Sequence, residues 1–497
     1  MESNPNHFSY QRILKSTSIF GMVKLSTVLI SLVKSKFLAI LIGPKGYGIL
    51  GLINTTLDLV QQSTGFGIEI SGVKNLANLT SKDQEDARNY EVNILLKLAL
   101  VLGFIGSVLT VVFSKQLSIW TFGDESYQWA FVLSAIVLVL RKLSTMQATI
   151  FQGLHQLKFL AKANLYSNLF ALFLVLPLFY VYKMQAIVPS IVVTALVAFL
   201  VYSFYFKQLN IKWTNIPLVE TFKKSQSTLK FGFLLSVSSF MALLANFLVQ
   251  IYISSTATMA QVGLFNIGLV VVNQYIGMIF NVMATDYYPQ LTRVVDNKIE
   301  ASAYISKQAI FSMLVITPVI VLFVALAPFL IPLLFASDFL EVVPMVVVLV
   351  IAMLFKAASW SFGYMIIAKA DSKIFLKTSV FFNALFVGLC CFGFKKFGLL
   401  GIGYAYILYY FLHLVMVQLV LFFRYQLRLE WQLYRFFLIH FVFCVAIFLT
   451  TQWQVAAFQI ITQVVVVLFS ILFSFYEINK KTNVLLKLKS YFDKKLK

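Results

Sequence analysis

Runs of about 20 apolar residues recur along this whole chain, separated by short segments that hold most of its charge, and that pattern leaves few folds open. A lipid interior offers the backbone no water, so each run must satisfy its own hydrogen bonds. Runs of this length do so as helices and are too long for barrel strands. With 60% of its 497 residues hydrophobic and 12% charged, the chain reads as an all-α polytopic membrane protein. The first run, residues 19–42, is too long for a signal-peptide core, is interrupted by Lys24 and has no small-residue cleavage site after it, so it reads as a retained span. About 14 spans are expected, near 17–42, 47–66, 91–113, 128–151, 163–182, 185–206, 231–252, 260–284, 305–333, 343–367, 375–394, 398–423, 435–452 and 455–476.

Orientation follows the distribution of Lys and Arg. With the N-terminus inside, 28 of the 40 cations fall in or beside cytoplasmic segments, seven on the outer side and five within helices: Lys24, Lys97, Arg141, Lys142 and Lys356. Both termini are therefore expected in the cytoplasm. The same bias accounts for most of the net charge of +21 as basic loops beside anionic headgroups, with no need of nucleic acid. The tail "KKTNVLLKLKSYFDKKLK", residues 480–497, reads as an amphipathic basic helix on the inner leaflet or as a solvated end. Cys390, Cys391 and Cys444 lie inside expected helices and read as small core residues rather than a disulfide framework.

The two halves of the chain repeat. "GYGILGLINTT" and "QVGLFNIGLVV" align with Gly48 on Gly263, an offset of 215; the same offset takes Lys158 to Lys373, Lys162 to Lys377 and Asn168 to Asn383. Six spans are thus expected to be duplicated. An even number per copy gives both copies one orientation, related by a pseudo-twofold axis along the membrane normal. The expected organisation is a six-helix bundle over 1–206, a basic cytoplasmic linker over 207–230, a second bundle over 231–424, two additional spans over 425–479 and the basic tail.

"AIVLVLRKLSTMQATIF", residues 135–151, carries Arg141 and Lys142 in mid-span, and the offset maps Arg141 to Lys356 and Lys142 to Ala357. A cation at a helix centre costs about 2.5–3.5 kcal/mol, so one in each half points to a polar surrounding. The alternative is that the pair snorkels to the inner surface, but the 12 residues from Arg141 to Gly153 span about 18 Å of helix, more than an Arg comfortably reaches. Asp58 is the clearest intramembrane acid. It reads either as a partner neutralising a nearby lysine or as a site for a coupling cation, and the interior, cationic on balance, suits an anionic passenger.

The first span carries Lys24, Lys34 and Lys36, with Ser26, Thr27, Ser31 and Ser35 between them and no carboxylate, so part of its surface is expected to line a cavity. Lys34 and Lys36 also fit ordinary interfacial positions. Gly43, Pro44, Gly46 and Gly48 follow as a turn. The stretch "KSKFLAILIGPKGYGILGL" resembles the first loop of Wzx-type polysaccharide flippases of the multidrug/oligosaccharidyl-lipid/polysaccharide (MOP) exporter superfamily: basic residues before an Ala, then Gly-Pro-x-Gly and a further Gly, with Ile42 in place of the usual Leu. That resemblance implies two six-helix bundles opening alternately inward and outward around a cavity in the bacterial inner membrane. It also implies a substrate made of an O-antigen or other surface-glycan repeat unit on undecaprenyl pyrophosphate. Lys34, Lys36, Gly43, Pro44, Gly46 and Gly48 carry the motif. Fourteen spans exceed the twelve of many relatives.

On this reading Arg141 and Lys356, with Lys142, Lys24, Lys34 and Lys36, bind the pyrophosphate, Asp58 couples or pairs charge, and polysaccharide polymerase machinery is a possible downstream partner. No phosphate-loop motif points to ATP, and neither a cofactor nor a metal is expected, His7, His155, His413 and His440 being scattered. Other readings are a lipid II flippase, which shares the anionic headgroup, and a MATE-like drug antiporter, which calls for cavity carboxylates that the first span lacks. A membrane glycosyltransferase or polymerase needs grouped acids at an outer surface, for which only Asp124, Glu125, Asp338 and Glu341 offer themselves. The expectation is a transporter, not an enzyme.

Overall fold

The computed structural model describes residues 10–79, 84–214, 216–453 and 455–482, and among these the chain is helical with no strand. In chain order the helices are α1 (Tyr10–Gly65), α2 (Ile68–Ala77), α3 (Glu85–Val112), α4 (Ser114–Phe122), α5 (Gln128–Gly153), α6 (Leu157–Tyr182), α7 (Ile187–Lys207), α8 (Leu218–Thr256), α9 (Met259–Leu269), α10 (Gly277–Val294), α11 (Lys298–Leu334), α12 (Val343–Ala368), α13 (Ser372–Tyr425), α14 (Trp431–Thr450) and α15 (Ala456–Thr482). A π-helical segment, Val270–Ile276, joins α9 to α10.

Eleven stretches among the described residues are long and apolar enough to cross a membrane. Three of them, Ser26–Gly65, Leu157–Lys207 and Ser372–Tyr425, run to 40, 51 and 54 residues, where one crossing takes about 20. Each is broken inside by a residue of positive φ: Gly43 (60°), Lys183 (47°) and Gly398 (58°). Each therefore holds two crossings, which brings eleven to the expected fourteen.

The repeat is visible in the backbone. Adding 215 to the bounds of α5 gives those of α12, and adding it to the start of α6 gives the start of α13. The left-handed residues repeat as well: His155 at φ 54° matches Ala370 at 51°, and the break at Lys183 matches that at Gly398. Side-chain identity is largely lost between the copies while the turn geometry is kept.

Two local readings are corrected. Of the four residues expected to form the first outer turn, only Gly43 leaves helical geometry (φ 60°, ψ −174°). Pro44 opens the next helix, where its missing N–H costs nothing and its φ is already set, so Gly46 and Gly48 sit inside helix. The expected linker 207–230 is also half helical, since α8 begins at Leu218 behind Pro217. What remains of it is pinned to α3, where Asn93 Nδ2 donates to the Lys212 carbonyl at 2.9 Å and Lys97 Nζ to the Ile216 carbonyl, and Tyr90 of α3 donates to Glu220 in the first turn of α8 at 2.7 Å. Lys97, one of the five cations counted within spans, is thus spent at the linker. The basic tail beyond Thr482 lies outside the described residues.

The chain packs as two compact units, Met1–Gly263 with Leu334–Ala336, and Leu264–Leu333 with Ser337–Lys497, so α8 packs with the first unit. One core of the first unit gathers Leu38, Ile53, Leu57, Val137, Phe179 and Ile187. A second gathers Leu95, Leu98, Met146, Ile150, Phe151 and Phe206. In the second unit α12 is apolar all round and buried almost throughout, from Met345 to Phe355 and again from Ala357 to Phe362. A helix without a polar face belongs in the middle of its bundle, which places Lys356 deep in this unit.

Candidate functional site

In the first unit Arg141 projects from α5 onto the polar stripe that Asn54 and Asp58 form on α1, one helical turn apart. Nη1 donates to Asp58 Oδ1 at 2.9 Å and Nη2 to Asn54 Oδ1 at 2.7 Å. Arg141 keeps a quarter of its side chain exposed and Asp58 about half. Two of the five guanidinium N–H groups are thereby engaged, and the remaining donors stay available to an incoming anion. Lys34, half-buried on the first part of α1, lies within electrostatic reach of Arg141. Two cations and one carboxylate therefore share this place, for a local charge of about +1. Thr55, on the same stretch of α1, exchanges a hydrogen bond with Gln250 of α8.

Lys142 follows Arg141 by one residue, and a step of about 100° around the helix sends it elsewhere. It is 3% exposed. Its ammonium lies 2.5 Å from Glu69 Oε1 and 3.4 Å from the Gly65 carbonyl. α1 ends at Gly65, Phe66 and Gly67 are left-handed, and α2 restarts at Ile68. Lys142 thus places its charge on the last carbonyl of one helix and on the first-turn carboxylate of the next, which staples the break. Any anion seeking Lys142 must displace Glu69.

In the second unit Lys356 has no acid: among the described residues it forms no ion pair. Its ammonium sits 5.2 Å from the centre of the Phe280 ring and 5.6 Å from that of Tyr410. A cation over two ring faces gains about 0.5–2 kcal/mol, which offsets part of its burial but leaves its charge unneutralised. The surrounding shell is fixed by short polar bonds. Trp360 Nε1 donates to Ser312 Oγ at 2.9 Å, Tyr287 Oη to the Ser361 carbonyl at 2.9 Å, and His413 Nδ1 lies 3.0 Å from Ser359 Oγ.

Among the other residues picked out by sequence, Lys36 is half-buried on α1. The side chain of Lys24 lies outside the described residues. Gly48 proves to be a crossing point: a Cβ there would lie 2.1 Å from the Met259 carbonyl oxygen, and one on Gly263 would lie 2.0 Å from that of Pro44. The two glycines matched by the repeat therefore touch through their backbones. Of the outer acids, Asp124 accepts from Ser126 N and Oγ, which holds its carboxyl below the usual carboxylate range, and Glu125 pairs with Lys115 at 2.8 Å. Both serve local structure. No group of three or more metal-ligating side chains occurs among the described residues.

Sequence reasoning missed Asn54, whose spacing of four from Asp58 was a readable stripe. It also missed the pairing of Lys142 with Glu69 and the Phe280 and Tyr410 rings beside Lys356, which no linear signal connects.

Comparison with solved structures places the fold. The chain superposes on the lipid II flippase MurJ, in an inward closed conformation, with a TM-score of 0.70 at 11% identity, over 94% of this chain and 99% of that one. An inward-facing multidrug resistance MATE family transporter of the MOP superfamily gives 0.61 at 15% identity, over 80% and 97%. A MOP superfamily transporter from Pyrococcus furiosus, described as having a binding pocket of reverse polarity, gives 0.56 at 15% identity, over 81% and 94%. Comparison with curated protein sequences gives no match. A family model described as "Polysaccharide biosynthesis protein" matches residues 37–344, from just before the Gly43-Pro44 break to the start of α12. The resemblance first read from the Gly-Pro motif and the repeat holds, and the chain, a multi-pass helical membrane protein with the fold of the MOP exporters, belongs to the polysaccharide biosynthesis protein family.

Proposed function

We propose that the protein is a flippase that carries a glycan repeat unit, linked through pyrophosphate to undecaprenol, from the cytoplasmic to the periplasmic leaflet of the bacterial inner membrane. The observation that carries this reading is the pair of intramembrane cations, Arg141 and Lys356, at matching positions of the two repeats in a chain of the polysaccharide biosynthesis family. Arg offers a planar fork of donors to phosphate and Lys a point charge. Lys34 adds charge beside Arg141, and Lys36 and Lys24 extend the cationic face of the first span. The two halves open in alternation to the two sides of the membrane, both termini stay in the cytoplasm, and the polyprenyl chain remains in lipid.

Asp58 holds Arg141 between turnovers. Its protonation, or its occupation by a coupling cation, frees the guanidinium for the diphosphate. One charge crossing 100 mV releases about 2.3 kcal/mol, enough to drive such an exchange, and consumption of the glycan by polymerase machinery outside pulls the same way. Lys142 is best read as the staple of the α1–α2 break rather than as a ligand.

Deletion of the gene tests the reading: a lipid-linked saccharide should accumulate on the cytosolic leaflet and the corresponding surface glycan should vanish. Normal surface glycan in the deletion strain would overturn it. The MurJ-like extent of the fold keeps lipid II as the second candidate substrate. Accumulation of lipid II, with the surface glycan intact, would favour that reading.

A further inference from the structure

The two repeats treat their paired cations differently, and the difference lies in two residues of the helix that follows the first break. Asn54 and Asp58, which hold Arg141, map by the 215-residue offset onto Leu269 and Asn273. The register is secure at this point. Gly48 and Gly263 anchor it ten residues upstream, and buried Leu52, Ile53, Thr56 and Leu57 correspond to buried Ile267, Gly268, Val271 and Val272. In the second copy the carboxylate has therefore become a neutral amide and the supporting amide an apolar side chain.

The backbone changes at the same place. Val270–Ile276 is π-helical, with Asn273 in its middle and exposed. A π turn takes in an extra residue and re-phases the helix beyond it, and such segments gather at functional sites. Beyond it comes Phe280, the position matching Gly65, whose ring lies beside Lys356. Where the first copy offers its cation a carboxylate, the second offers aromatic faces, which support a charge without cancelling it.

We propose that Asn273 is a specificity-determining residue: by standing where the first repeat has Asp58, it leaves Lys356 unneutralised, so the second repeat is the permanent diphosphate seat and the first a switched one. This rests on the reading of the substrate as a polyprenyl diphosphate. A carboxylate at 273 would restore the acid of the first repeat and repel the diphosphate.

The test measures binding of geranylgeranyl diphosphate to the purified full-length protein in detergent, followed through tryptophan fluorescence, since Trp360 adjoins Phe280. Asn273→Asp should weaken binding by about tenfold or more, as one added negative charge facing the diphosphate at an effective dielectric constant of about 20 implies. Asn273→Leu removes the amide without adding charge and should stay within about threefold of wild type. Asp58→Asn, which releases Arg141, should tighten binding severalfold, and it keeps the inference testable should the aspartate variant fail to fold. Equal weakening by the Asp and Leu variants, or unchanged binding in both Asn273→Asp and Asp58→Asn, overturns the inference while leaving the substrate reading intact. No binding by wild type overturns both.

Discussion

The assignment of Lys142 to structure rather than to substrate makes the sharpest prediction on stability. Its side chain is 4% exposed, and its ammonium lies 2.5 Å from the carboxylate of a Glu69 side chain that is 25% exposed. Removing one member of a fully buried pair costs about 3–5 kcal/mol, because the other charge is stranded away from water. Glu69 recovers part of its hydration, so Lys142→Met should cost about 2–3 kcal/mol, including the lost bond to the Gly65 carbonyl. In purified protein that is a fall of a few degrees in the melting temperature, read by tryptophan fluorescence. Glu69→Gln alone strands the lysine, the more buried partner, and should cost at least as much. The double variant Lys142→Met/Glu69→Gln strands nothing and should recover most of the loss, a coupling of about 1–3 kcal/mol. It should also export surface glycan at near wild-type level. Additive losses in the double variant would show that the two side chains do not depend on each other. A double variant that is stable but does not export would return Lys142 to the substrate path.

Other substitutions separate binding from architecture. Arg141→Ala should abolish glycan export, Arg141→Lys should rescue it only in part, and immunoblots at matched expression check abundance; because the alanine variant strands Asp58, Arg141→Gln/Asp58→Asn is the control, and full export by that pair would contradict the assignment. Gly43→Ala meets no neighbouring atom and costs only the strain of a Cβ in a backbone region that is essentially glycine's alone, about 1–3 kcal/mol, whereas Gly48→Val drives a side chain into the Met259 carbonyl and should remove folded protein from the membrane, as size-exclusion profiles would record. Asp371, in the turn between α12 and α13, accepts from Ile374 N and Arg424, which keeps its carboxyl below the ordinary 3.8. Its contribution is present above that value and is lost as pH falls through the lower folded one. Asp371→Asn should therefore melt below wild type at pH 7, with the gap closing in acid.

Hydropathy and the repeat carried the fold because they record what each segment must satisfy, lipid outside and a neighbouring helix inside. The offset of 215, read from one glycine and a few loop residues, recurs in the bounds of α5 and α12 and in the left-handed residues of the turns. Boundaries suffered where backbone chemistry outweighed hydropathy: Pro44 and Pro217 start helices that composition read as turn and linker. The positions of Arg141 and Lys356 were legible because burying a cation is costly wherever it occurs. Their partners were not. Whether a buried Arg meets Asp58 depends on helix packing, and whether its neighbour meets Glu69 depends on a 100° step around α5. The π turn before Phe280 left no mark in composition, though the replacement of Asp58 by Asn273 was present in the aligned repeats.

Reconstitution answers the central question most directly. Proteoliposomes holding the purified protein and a fluorescent polyprenyl-diphosphate disaccharide on both leaflets should, with wild type, let an external membrane-impermeant quencher reach nearly all of the label within the assay. With Lys356→Gln at equal incorporation, only the outer half should be quenched. Equal quenching by the two proteins, or a wild type that never exceeds the outer half, would contradict the account.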